Sequence, residues 1–125
     1  MPTPDELRTT IAAYVEAVNT RDPQAIADLF SADAHQADPA SNPPNIGRQA
    51  IAGFFRDSIG ASDSWTFTAK AVHTCAATVA IDFQIDLITG GSPMTIDGIE
   101  VFEVGDDGLI TTVNAYWDES DLTLG

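Results

Sequence analysis

One glutamate sits inside an apolar strand pattern, and its chemistry depends on which way it faces. The stretch Met94-Thr95-Ile96-Asp97-Gly98-Ile99-Glu100-Val101-Phe102-Glu103-Val104 is rich in Ile, Val and Phe, which favours a strand. Strand side chains alternate between faces, so Met94, Ile96, Gly98, Glu100, Phe102 and Val104 share one side, on which Glu100 is the only charge-capable group. A carboxyl group turned toward a core or an apolar pocket is desolvated when ionised, so its pKa rises and it stays protonated as a hydrogen-bond donor. A glutamate at a sheet edge, or on a strand whose other face is buried, satisfies the same pattern. Two further groups are candidates. Tyr14 falls on the apolar face of a helix, where its hydroxyl is either tied to backbone in the core or aimed into a pocket. Asp38 precedes Pro39 in a proline-containing segment, where it is either a turn former or a carboxylate held on a loop by a rigid scaffold.

The elements around these groups follow from caps and periodicity. Thr3-Pro4-Asp5-Glu6 combines an N-cap, a proline at the first helical position and a glutamate that closes a capping box, and Leu7, Ile11, Tyr14, Val15 and Val18 then recur on one helical face. Asp22-Pro23 starts a second helix with Ile26, Leu29 and Phe30 as its apolar face. Between Ser31 and Gly47 the apolar periodicity fades, which predicts a short extended piece near His35 to Asp38 and then a loop. Gly47 to Ile59 regains a helical pattern through Ile51, Phe54, Phe55 and Ile59. Ser64 to Cys75 alternates with Trp65, Phe67, Ala69, Ala71 and His73 on one face, and Ala77 to Leu87 with Val79, Ile81, Phe83, Ile85 and Leu87. Gly90-Gly91 and Gly105-Asp106-Asp107-Gly108 turn the chain into two further strands, the last carrying Val113, Ala115 and Trp117 on one side. This order, three helices followed by a meander of strands, predicts a single α+β domain in which a curved, mostly antiparallel sheet closes on helices.

Composition narrows the function. A formal net charge of −14 opposes binding to nucleic acid or to anionic membrane surfaces. No apolar run approaches the ~20 residues of a membrane span, and Met1-Pro2-Thr3-Pro4 lacks the basic and apolar regions of a targeting peptide, so a cytoplasmic protein is expected. The lone Cys75 makes no internal disulfide, and no CxxC or HExxH spacing points to a metal. His35 and His73 read as structural or exposed.

The pieces Ala13-Tyr14-Val15-Glu16, Ala37-Asp38-Pro39, Asn42-Pro43-Pro44 with Gly47-Arg48, Ile51-Ala52-Gly53-Phe54-Phe55, Ile99-Glu100-Val101 and Ala115-Tyr116-Trp117 resemble bacterial ketosteroid isomerases in order and spacing. The resemblance runs through nearly the whole chain and implies the cone-shaped, barrel-like α+β fold shared with nuclear transport factor, scytalone dehydratase, limonene epoxide hydrolase and polyketide cyclases. It implies three catalytic groups: Tyr14 as oxyanion donor, Asp38 as the base that carries the proton, and Glu100 where the family has an aspartic acid kept protonated. Glu for Asp is the main departure from the family pattern, since the extra methylene moves the carboxyl group. Phe54, Phe83, Val101, Val113, Ala115 and Trp117 are implied as the apolar substrate-binding wall, with ordinary core packing as their other reading. Phe30 and Phe55 stand where some members have tyrosines that support the catalytic one.

The activity so implied is steroid Δ5-isomerisation of a 3-ketosteroid without cofactor or metal, in a homodimer formed through the outer face of the sheet. A non-catalytic binder of apolar ligands, or a related cyclase or epoxide hydrolase, are the alternatives on the same fold.

Overall fold

The computed structural model describes all 125 residues. Helix α1 (Pro4–Thr20) opens with the expected box: the Glu6 backbone N–H donates to Thr3 Oγ1 at 3.1 Å, and the Thr3 N–H donates to Glu6 Oε1 at 3.0 Å. It closes at Arg21, a left-handed residue with φ 60°. Helix α2 (Pro23–Ala27) is capped by Asp22, whose Oδ1 accepts from the backbone N–H groups of Gln24 and Ala25. The chain continues through β1 (Phe30–Ala37), β2 (Asn45–Ile46), α3 (Arg48–Ile59), β3 (Ser64–Cys75), β4 (Thr78–Thr89), β5 (Ser92–Val104) and β6 (Ile110–Tyr116). A 3-10 turn at Glu119–Asp121 leads to the short β7 (Leu122–Leu124).

Two expectations need correction. Phe30 does not extend the second helix. That helix ends at Ala27, and Phe30 begins β1, a strand longer than the piece expected near His35. Its inward positions are held mainly by small or polar residues, Ala34, Gln36 and Ala37, so the apolar alternation that reveals a strand is weak. Two strands therefore precede α3, and β1 lies parallel to β6 in a sheet ordered β2-β1-β6-β5-β4-β3, with β7 paired to β5. The second correction concerns β3. Ala69 pairs with Phe83 but Ala71 pairs with Asp82, which leaves Lys70 as a bulge. An extra residue reverses the parity beyond it. Val72, rather than Ala71 or His73, packs against the core, and His73 is exposed.

Strand β5 keeps the expected parity. Glu100, Phe102 and Val104 are buried at 4%, 0% and 4% exposure, whereas Ile99, just before Glu100 and of opposite parity, is 42% exposed. The inner face of the sheet meets Leu7, Ile11 and Val18 of α1 and Ile51, Phe55 and Ile59 of α3. Rows of inward side chains run across it: Ala115, Glu100, Ile81 and Val72 form one, then Gly98, Phe83 and Ala69, then Ile96, Ile85 and Phe67, and finally Met94, Leu87 and Trp65. Gly98 is required in its row. A Cβ there would stand 2.7 Å from Phe83 Cζ and 2.8 Å from the Tyr116 carbonyl oxygen.

Candidate active site

Three distant parts of the sequence supply one cavity of about 410 Å³, whose lining includes Tyr14, Asp38 and Glu100 together. That volume lies in the range of small-molecule sites, ~300–1,000 Å³. Tyr14 reaches it from the buried face of α1 and Glu100 from the inner face of β5. Asp38 follows the last residue of β1, and the parallel pairing of Ala37 with Asn114 sets it beside the end of β6, where Trp117 follows. Two bonds tie this corner. The Ala40 N–H donates to the Ala115 carbonyl at 2.6 Å, and Trp117 Nε1 donates to Asp38 Oδ1 at 2.6 Å.

The electrostatics separate the two carboxyl groups. Burial pushes the Glu100 pKa well above the usual carboxylic-acid value, the negative charge of Asp38 pushes it further, and the Tyr14 hydroxyl opposes the shift only in part. Burial also raises Asp38, but the Trp117 indole N–H stabilises its ionised form and works against that rise. Asp38 is thus more enclosed than an exposed loop position suggests, and the indole supplies what water otherwise would. The Tyr14 hydroxyl is held protonated, first by burial and then by Glu100 and Asp38. Its ring is boxed by the edges of Phe30, Phe55, Phe67 and Phe102, with centroids 6.3, 6.4, 5.9 and 5.0 Å away. The ring is fixed, and its hydroxyl has no tyrosine behind it. The arrangement offers a proton acceptor at Asp38 and protonated donors at Tyr14 and Glu100 in one apolar space. No group of three or more His, Cys, Asp or Glu side chains stands close enough to hold a metal ion.

The expected wall is only partly as read from sequence. Phe54 and Trp117 line the cavity. Phe83, Val113 and Ala115 lie instead within the core, at 1%, 2% and 0% exposure. Phe83 supports the wall from beneath, its ring stacked on that of the lining residue Phe67 at 5.7 Å and 13°. Val101 is on the outer face, because it has the opposite parity to Glu100 and pairs with Ala80 and Asn114. Lining residues that sequence reasoning missed include Asn42, Ser58, Ser62, Trp65, Leu87 and Ile96. The spacing of Phe54 and Ser58 was a usable signal, since residues four apart share a helix face, whereas Ser62 lies beyond the end of α3 at Ile59.

Comparison with known proteins places the chain in a family and a fold. The SnoaL-like domain profile matches residues 11–113. A steroid Delta-isomerase from Nocardioides simplex is 31% identical over 119 residues, covering 95% of each chain. Epoxide hydrolase LasB from Streptomyces lasalocidi is 27% identical over 126 residues, which span 97% of this chain but 44% of that protein. Among solved structures, the epoxide hydrolase/cyclase-like enzyme SalBIII of pyran ring formation in the polyether salinomycin superposes with a TM-score of 0.92 at 21% identity, covering 100% of both chains. RV0760c from Mycobacterium tuberculosis in complex with estradiol-17β-hemisuccinate gives a TM-score of 0.85 at 20% identity, over 94% of this chain and 98% of that one. These structural likenesses establish the cone-like α+β architecture.

Proposed function

This chain belongs to the SnoaL-like domain family of the nuclear-transport-factor-like superfamily, whose relatives here are enzymes, and from that membership we propose that it is a steroid Δ5-isomerase. The substrate is a 3-oxo-Δ5-steroid whose carbon-carbon double bond moves into conjugation with the ketone. Ionised Asp38 takes the proton from C4, the electron pair delocalises onto the ketone oxygen as a dienolate, and Asp38 returns the proton at C6. Tyr14 and neutral Glu100 donate to the dienolate oxygen, in a cavity whose apolar wall keeps water from competing. Proton and electrons return to the substrate, so the step needs no co-reactant.

The observation that carries this reading is the convergence of Tyr14, Asp38 and Glu100 on one apolar cavity, where burial raises the Glu100 pKa well above the usual value while at Asp38 the Trp117 N–H opposes the rise that burial causes. Magnitudes explain why all three are invoked. A general base contributes ~10²–10⁴ and one oxyanion donor ~10²–10³ in rate, against the 10⁶ or more typical of enzymes. The 31% identity to a steroid isomerase over 95% of both chains favours this chemistry over others on the fold.

The likeness to LasB and SalBIII supports a second reading, in which the same pair opens an epoxide. Glu100 would protonate the epoxide oxygen while Asp38 removes the proton of the attacking hydroxyl. Adding 5-androstene-3,17-dione and following the conjugated-enone absorbance separates the two. The isomerase reading expects a rise that falls by ~10²–10⁴ in Asp38→Asn, as for loss of a general base. A parent protein that does not exceed the buffer rate removes it. The expected macromolecular partner is a second copy of this chain on the outer face of the sheet, where Ile99 and Tyr116 are 42% and 53% exposed.

A further inference from the structure

The cavity extends well beyond the three candidate catalytic groups, and its far end is polar. From the row of Glu100 it runs under Ile96 and Ile85 to Leu87 and Trp65. Ile96 is four residues from Glu100 on β5, about 13 Å along the strand at ~3.3 Å per residue. A fused four-ring skeleton set against Glu100 reaches the Ile96 row, the one next to that of Leu87 and Trp65. The opposite wall is the face of α3 and its continuation that carries Phe54, Ser58 and Ser62. The Asp63 N–H donates to the Ile88 carbonyl at 2.7 Å, which places Ser62 at the same end as Leu87 and Trp65.

The hydroxyl groups at this end have their hydrogens committed. Ser58 Oγ donates to the Phe54 carbonyl at 2.9 Å, and Ser62 Oγ donates to the Ser58 carbonyl at 3.2 Å. A hydroxyl that donates backward along its helix keeps its oxygen lone pairs as acceptors. Ser62 is also buried, at 7% exposure. Beside it, Trp65 presents the only buried side-chain polar atom of the chain without a partner, its indole Nε1. An unpaired buried donor is costly, and a ligand oxygen met by a small turn of the ring would relieve that cost. The far end therefore combines acceptors that seek a hydrogen with a donor that seeks an oxygen. A hydroxyl group satisfies both; a ketone satisfies only the donor.

We propose that the Ser58–Ser62–Trp65 end of the cavity is a specificity site for a hydroxyl group on the far end of the ligand, selecting hydroxylated over ketonic steroids. The proposal rests on the steroid reading of the cavity and deepens it. Arg21 is what holds this end in place: its guanidinium donates to the carbonyls of Ile59, Ser62 and Asp63.

Estradiol and estrone test it by titration calorimetry on the intact protein. Both carry a phenol for the Tyr14–Glu100 end, and they differ only in a far-end hydroxyl or ketone. The expected result is estradiol about tenfold tighter than estrone, the range of one net hydrogen bond. The double variant Ser58→Ala/Ser62→Ala loses that preference, its estradiol affinity falling to its affinity for estrone, and Trp65→Phe weakens both ligands. Equal affinities in the parent, or a preference that survives the double variant, overturn the specificity site while leaving the isomerase reading intact. Trp65→Phe with both affinities unchanged overturns the indole's part. A parent that binds neither phenol and forms no enone overturns the site and the steroid reading together, and enone formation without phenol selectivity overturns only the site.

Discussion

Trp117 Nε1 donates a 2.6 Å hydrogen bond to Asp38 Oδ1 across 79 residues of sequence. The parallel pairing of β1 with β6 makes this possible, because it brings the strand end before Asp38 alongside the strand end before Trp117. Burial alone would weaken Asp38 as an anion, and the indole restores part of that loss without admitting water. The bond also fixes the carboxylate at the wall of the cavity.

Replacing Trp117 by Phe should therefore act through the pKa of Asp38. The indole bond lowers that pKa, so its loss raises it, and the fraction of ionised base falls at any pH below the plateau. The acid limb of the kcat/KM profile for enone formation should move to higher pH, with the plateau rate reduced less than the rate at low pH. A uniform loss at every pH would mean that Trp117 serves only as apolar wall.

Glu100 should make the fold less stable as pH rises. Its folded pKa lies well above the usual 4.5, so between those values the folded protein holds a proton that the unfolded chain releases. The stability contributed by neutral Glu100 is fully present below about pH 4.5 and is lost as pH climbs toward the folded value, by up to ~1.4 kcal/mol per pH unit. Urea unfolding at pH 5 and at pH 8 should show Glu100→Gln losing less stability than the parent over that interval. An equal decline in the two proteins would place an ionised or solvated carboxylate at position 100.

Gly98→Ala should destabilise through Phe83. The added methyl would lie 2.7 Å from the ring and 2.8 Å from a backbone oxygen, and the backbone cannot yield. Overpacking of this kind costs ~1–3 kcal/mol, visible as a lower Tm. Because Phe83 carries Phe67, a wall residue, ligand affinity should fall with it. An unchanged Tm would show that the strand shifts freely.

Tyr14→Phe should behave differently. The ring is held by four aromatic edges and the hydroxyl faces the Glu100 carboxyl group rather than the backbone, so removing the oxygen should leave the Tm nearly unchanged. Turnover should drop by ~10²–10³, the effect of one oxyanion donor. A large loss of stability would identify the hydroxyl as part of the core.

The strand around Glu100 was readable because its alternation is strong and unbroken, and the first helix because cap, proline and periodicity agree. Phe30 was misplaced because β1 carries small and polar residues inward, leaving no apolar rhythm to separate it from the preceding helix. His73 was misplaced by a single bulge residue at Lys70, which local pattern does not reveal. The candidate trio could be named from sequence, but its enclosure could not. The Trp117–Asp38 bond and the serine-lined far wall depend on register between strands and helix that only the folded chain fixes. Val101, Val113 and Ala115 show the reverse: apolar residues near a site in sequence that end in the core or on the outer face because parity, not proximity, decides.

The most direct test of the account is the turnover of 5-androstene-3,17-dione by the parent and by Glu100→Ala, followed as conjugated-enone absorbance. The account predicts a parent rate clearly above buffer and a variant slower by ~10²–10³, as for loss of one donor to the dienolate oxygen. A parent no faster than buffer, or an alanine variant as fast as the parent, would contradict it.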